Sequence, residues 1–132
     1  MHVLGFHHLA IQVRQLESTA RFYRELLGLP EMARHVRDDG TLRSIWLALP
    51  EGAFLALEEV RGGAAVEERP ADRPGFHVVA LRIDRADRGP VLAALAAAGV
   101  RIERQTRWTV FFRDHEGNRV ALSHHPADAV AS

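Results

Sequence analysis

The sequence predicts an α+β fold: two βαβββ modules in tandem. Three observations predict it. Residues 5–14, GFHHLAIQVR, read against residues 75–84, GFHVVALRID, at a constant offset of 70. Residues 49–57, LPEGAFLAL, read against residues 114–122, DHEGNRVAL, at an offset of 65. The two matches occur in the same order and flank a helix pattern in each half. An internal repeat fixes architecture before any single element is argued. At 132 residues the chain suits one domain, 1–132, with modules 5–60 and 75–125 and a linker, 61–74, that holds Gly, Pro and mixed charge.

The elements follow in order. Phe6 to Val13 alternates and is rich in branched side chains, which predicts a strand. Glu17 to Leu27 places Ala20, Tyr23, Leu26 and Leu27 on one helical stripe, with Glu17 or Ser18 near the start and Gly28 as a left-handed stop. Three strands follow, Glu31 to Arg37, Leu42 to Leu49 and Ala53 to Val60, separated by turns at Asp38-Asp39-Gly40 and Pro50-Glu51-Gly52. The second half begins with a strand over Phe76 to Ile83. A helix over Gly89 to Ala98 follows, with Pro90 in its first turn and Gly99 at its stop. Strands over Val100 to Gln105, Trp108 to Arg113 and Arg119 to His124 complete it, the last two joined by a turn at Glu116-Gly117-Asn118.

Composition narrows the chemistry. Net charge is zero and the pI is about 7.1, so there is no electrostatic footprint for nucleic acid or an anionic membrane. The absence of cysteine excludes disulfides and thiolate chemistry. All 17 basic side chains are Arg, which excludes a Schiff-base or general-base lysine. Met1 to Leu9 holds three His and no long apolar run, so neither a signal peptide nor a membrane span is expected there, and the expected location is cytoplasmic.

Residues 6–13 (FHHLAIQV), 16–18 (LES), 22–29 (FYRELLGL) and 112–120 (FRDHEGNRV) resemble the opening and closing signatures of the vicinal oxygen chelate superfamily, the glyoxalase, bleomycin-resistance and extradiol-dioxygenase group. His115 departs from the Pro usual in the closing turn. The resemblance implies paired βαβββ modules forming curled mixed sheets around a shared cavity and, by family habit, a homodimer. In the family's enzymes it also implies a divalent metal held by up to four ligands, on the first and last strands of each module. Those positions correspond here to His8, Ala56, Val78 and Ala121.

Strand alternation supplies the faces. Leu9, Ile11 and Val13 belong to the helix side, which leaves His8, Ala10 and Gln12 toward the cavity. The same rule sends Ser44, Trp46 and Ala48, then Ala56 and Glu58, to the cavity. In the second half it sends Val78, Ala80 and Arg82, then Thr109, Phe111 and Arg113, then Ala121 and Ser123. Three of the four metal positions therefore lack a donor atom, and no resident metal is expected. The expected ligand-binding set is His8, Gln12, Ser44, Trp46, Glu58, Arg82, Thr109, Phe111 and Ser123, with a small organic molecule as the partner. A pocket with small apolar walls and a few polar groups suits such a ligand. Two readings stay open. One is a metal-free binding protein. The other is a lyase, isomerase or dioxygenase, with His8 as acid/base or with a divalent metal on a rearranged site of His8, His77 and Glu58. His35, His115, His124, His125 and His2 are weaker candidates.

Overall fold

The computed structural model describes residues 1–63, 74–127 and 130. Most of the expected linker, residues 64–73, lies outside these. The chain divides into two compact units, Met1–Ala64 and Ala65–Ser132. Each has the expected order of strand, helix and three strands. The first contains β1 (His8–Val13), α1 (Leu16–Leu27), β2 (Glu31–Val36), β3 (Leu42–Ala48) and β4 (Phe54–Glu59). The second contains β5 (Val79–Arg82), α2 (Arg88–Ala97), β6 (Ile102–Gln105), β7 (Thr109–Arg113) and β8 (Arg119–Ser123). The sheets are equivalent and mixed: β1-β4-β3-β2 and β5-β8-β7-β6, with only the β1–β4 and β5–β8 pairs parallel.

Period-two alternation explains why each sheet has one apolar face. In the first unit, register aligns Leu9 with Leu55 and Leu47, and Ile11 with Leu57 and Ile45. α1 packs on β3 and β4, and its Ala20 and Tyr23 are fully buried. In the second unit, Val79, Val120 and Phe112 form one row, and Leu81, Leu122 and Val110 the next. Val91 and Leu95 of α2 are buried. Burying one such side chain contributes roughly 1.5–3 kcal/mol, so these rows dominate the stability of each unit.

Local signals set the element ends. Gly28 closes α1 at φ 65°, a left-handed conformation that costs glycine little, and its N–H bonds the Arg24 carbonyl. Asp114 is buried at the start of the β7–β8 turn. Its Oδ1 accepts from the backbone N–H groups of Glu116 and Asn118, both at 2.9 Å.

Three expectations need correction. α1 starts at Leu16 after Gln15 and has no side-chain cap; Ser18 instead donates to the Gln15 carbonyl at 3.3 Å. α2 starts at Arg88, one residue early, after a short 3-10 turn over Arg85–Asp87. β5 is Val79–Arg82, shorter than the expected Phe76 to Ile83. It pairs only with the five-residue β8, and the ladder begins at Val79 opposite Val120. Just upstream, the Arg119 side chain reaches the His77 carbonyl at 3.3 Å. His77 and Val78 therefore precede the strand, and alternation does not assign them a face.

Arg88 fastens the second unit. It is 6% exposed at the head of α2, where burial lowers its pKa, and neighbouring Arg85 adds to the effect. Its guanidinium donates to the Thr106 carbonyl at 2.8 Å, Gln105 Oε1 at 3.1 Å and His124 Nε2 at 3.0 Å. His124 Nδ1 in turn donates to the Ala127 carbonyl at 2.7 Å, which fixes its tautomer.

Candidate functional site

The face of the first sheet opposite its leucine rows is built from three cross-strand rows. Directly paired residues share a face. The first row is His8, Phe54 and Ala48; the second is Ala10, Ala56, Trp46 and Ala33; the third is Gln12, Glu58, Ser44 and His35. This face thus holds His8, Gln12, Ser44, Trp46 and Glu58 together.

Rings form a continuous ladder along it. His8 stacks on Phe54 at 4.8 Å and 6°, Phe54 on Trp46 at 4.4 Å and 20°, and His35 lies against Trp46 at 4.4 Å and 55°. Offset ring contacts of this kind add to simple burial. Phe54 and His35 were not among the expected binding residues. Phe54 shares the parity of Ala56 and Glu58, and that parity was the available signal.

The polar row is chemically incomplete. Ser44 is 1% exposed, and its Oγ has no hydrogen-bond partner. The Nε2 of His35, beside it in register, is also buried and unpartnered. The Glu58 carboxylate takes part in no hydrogen bond or ion pair among the described residues, whereas that of its neighbour Glu59 pairs with Arg37 at 3.1 Å.

The corresponding face of the second sheet is cationic. Its rows are Ala80, Ala121, Phe111 and Arg104, then Arg82, Ser123 and Thr109. The Thr109 hydroxyl donates to Ser123 Oγ at 2.9 Å. Arg104 lies over the Phe111 ring at 5.6 Å. Glu103 accepts from Arg113 Nε at 2.6 Å and Arg119 Nε at 2.7 Å. Burial pushes the Glu103 carboxyl up, but the two guanidinium hydrogen bonds outweigh it and leave its pKa below the ordinary value. Glu103 and Arg104 escaped the sequence reading because the β6–β7 register shifts between Ile102 and Arg104. Such an irregularity brings consecutive residues to one side of a strand.

The four positions that the resemblance gives to a metal fit one poorly. Ala56 and Ala121, 3% and 1% exposed, present only methyl groups. Val78 offers no lone pair. His8 lies against Phe54, and its Nδ1 shares a proton with Nδ1 of His7 at 2.8 Å. Among the described residues, no three His, Asp or Glu side chains are grouped to hold a metal ion. The alternative set meets a further obstacle at His77. Arg119 Nη1 donates to its Nδ1 at 2.9 Å, which leaves the ring proton on Nε2 and neither nitrogen open to a cation.

No helix among the described residues is long and apolar enough to cross a membrane. No curated protein sequence matches the chain. Among solved structures, it resembles the fosfomycin resistance protein FosX of Listeria monocytogenes complexed with Mn(II) and sulfate. Identity is 17%, coverage is 96% of each chain and the TM-score is 0.75. It also resembles a glyoxylase/bleomycin resistance protein/dioxygenase domain from Frankia sp. EAN1pec, at 26% identity, covering 93% of this chain and 98% of that one, TM-score 0.73. A glyoxalase/dioxygenase from Nostoc punctiforme matches at 18% identity, 93% and 92% coverage and TM-score 0.75. The family profile of the Glyoxalase/Bleomycin resistance protein/Dioxygenase superfamily matches residues 5–122, so the chain, with its two βαβββ units, belongs to that superfamily.

Proposed function

We propose that this protein binds a small organic molecule on the sheet face of its first unit that carries Trp46, without a metal at the family's positions. The observation that supports this most is the buried Ala56 at the centre of that face, a feature repeated by Ala121 on the second unit's own sheet. A related FosX is complexed with Mn(II). In this chain Ala56 and Ala121 offer methyl groups beside Trp46 and Phe111 respectively, which suit the body of an organic ligand rather than a cation. His8, Gln12, Ser44 and Glu58 are the polar groups available to orient it there; Phe111, Arg82, Thr109 and Ser123 belong to the equivalent face of the second unit, taken by itself. A homodimer in the cytoplasm is the assembly and location that accompany this reading.

The test is a thermal-shift screen of small aromatic amines, acids and neutral compounds. A binder raises the melting temperature with the logarithm of its concentration. Trp46→Ala should abolish the shift. Leu47→Ala, on the opposite face, should lower the melting temperature and leave the shift in place. Equal loss of the shift in both variants would contradict the assignment of the face.

A further inference from the structure

Resting on that reading, we infer that the row Gln12, Glu58, Ser44 and His35 is a receptor for the protonated amine of an organic ligand. The row runs across all four strands of the first sheet, and its members are aligned by direct pairing: Gln12 with Glu58, Glu58 with Ser44, and Ser44 with His35. A buried polar atom without a partner costs free energy comparable to a lost hydrogen bond, and folded proteins hold few of them. Two of the three such side-chain atoms found among the described residues, Ser44 Oγ and His35 Nε2, are neighbours in this row. The row is graded, from exposed Gln12 through half-buried Glu58 to buried Ser44.

The row's own chemistry selects the group. Glu58 supplies a carboxylate that no cation of the described chain neutralises. Ser44 Oγ accepts as well as donates, and His35 Nε2 accepts when its ring proton lies on Nδ1. Gln12 adds an amide oxygen at the exposed end. The row contains no Arg, so an incoming carboxylate or phosphate would meet like charge at Glu58 and no fixed cation. An ammonium group carries three N–H donors and one positive charge. It can answer Glu58, Ser44 and His35 together. The adjoining row, Ala10, Ala56, Trp46 and Ala33, presents methyl groups and an aromatic ring to the carbon body attached to that amine.

The experiment is calorimetric and NMR titration of the intact protein with three phenylalkyl compounds of different charge: phenethylammonium, neutral 3-phenylpropanol and anionic 3-phenylpropionate. Phenethylammonium should bind at least tenfold more tightly than either. Glu58→Gln should remove that preference, and Ser44→Ala should weaken phenethylammonium several-fold, with both variants checked for native melting behaviour. Should a variant fail to fold, the salt dependence of the unmodified protein decides. Phenethylammonium binding should then weaken as ionic strength rises, while propanol binding stays level. Binding of the propanol or the propionate as tightly as the amine would overturn the amine receptor and leave a small-molecule site standing. If none of the three binds and the wider screen is also silent, both the receptor and the proposed function fail.

Discussion

Arg119 donates from Nη1 to Nδ1 of His77 at 2.9 Å, and the same guanidinium holds Glu103 through Nε at 2.7 Å. The imidazole is thereby committed to an internal network that also includes Arg113. His77→Ala should leave any response of the melting temperature to Zn²⁺, Ni²⁺ or Mn²⁺ unchanged. A metal-induced rise in the unmodified protein that disappears in His77→Ala would show that the imidazole leaves Arg119 to bind the ion.

The Glu103 network has a defined pH dependence. Its carboxyl pKa is lower in the folded protein than in the unfolded chain, so the stabilisation is present above the unfolded value and is lost as pH falls through the folded one. Glu103→Gln should cost about 1–2 kcal/mol near neutral pH, since it strips two guanidinium groups of their anion. The gap between variant and parent should narrow steadily below about pH 4 in urea denaturation. A gap that widens in acid would reverse the sign and exclude this account of Glu103.

How far the sequence revealed these features depends on where alternation holds. Leu9, Ile11, Leu55 and Leu57 mark one face so clearly that the opposite parity of His8, Gln12, Trp46 and Glu58 followed, and the pairing of β1, β4 and β3 has that register. The repeat likewise disclosed two βαβββ units. Alternation cannot anticipate a register shift, so Glu103 and Arg104 on one side of β6 were illegible. Nor does it tell which neighbours bond: the three-way commitment of Arg119, and the lack of partners at Ser44 and His35, depend on side-chain placement.

Ser44 and Leu47 should respond oppositely to truncation. Leu47 is fully buried in the leucine row beneath α1, and Leu47→Ala should cost about 2–4 kcal/mol. Ser44→Ala removes an unpartnered buried hydroxyl and should stabilise the ligand-free protein by about 1 kcal/mol. Chemical denaturation measures both. A loss for Ser44→Ala comparable to that for Leu47→Ala would mean that the hydroxyl is satisfied in solution.

Arg88 should be irreplaceable by lysine. Its planar fork serves Gln105, Thr106 and His124 at once, and an ammonium group cannot reproduce that geometry. Arg88→Ala and Arg88→Lys should each cost about 2–3 kcal/mol in urea denaturation. Full rescue by lysine would show that charge, rather than the fork, holds the β6–β7 connection.

Elemental analysis tests most directly the proposal that His8, Ala56, Val78 and Ala121 hold no metal. Protein purified without chelators, dialysed against Mn(II) and then freed of unbound ion should retain far less than one metal per chain. The reason is that Ala56, Val78 and Ala121 offer no donor and His8 stands alone among the four. Near-stoichiometric metal that disappears on His8→Ala would contradict the account and restore a metal-dependent reading of the site.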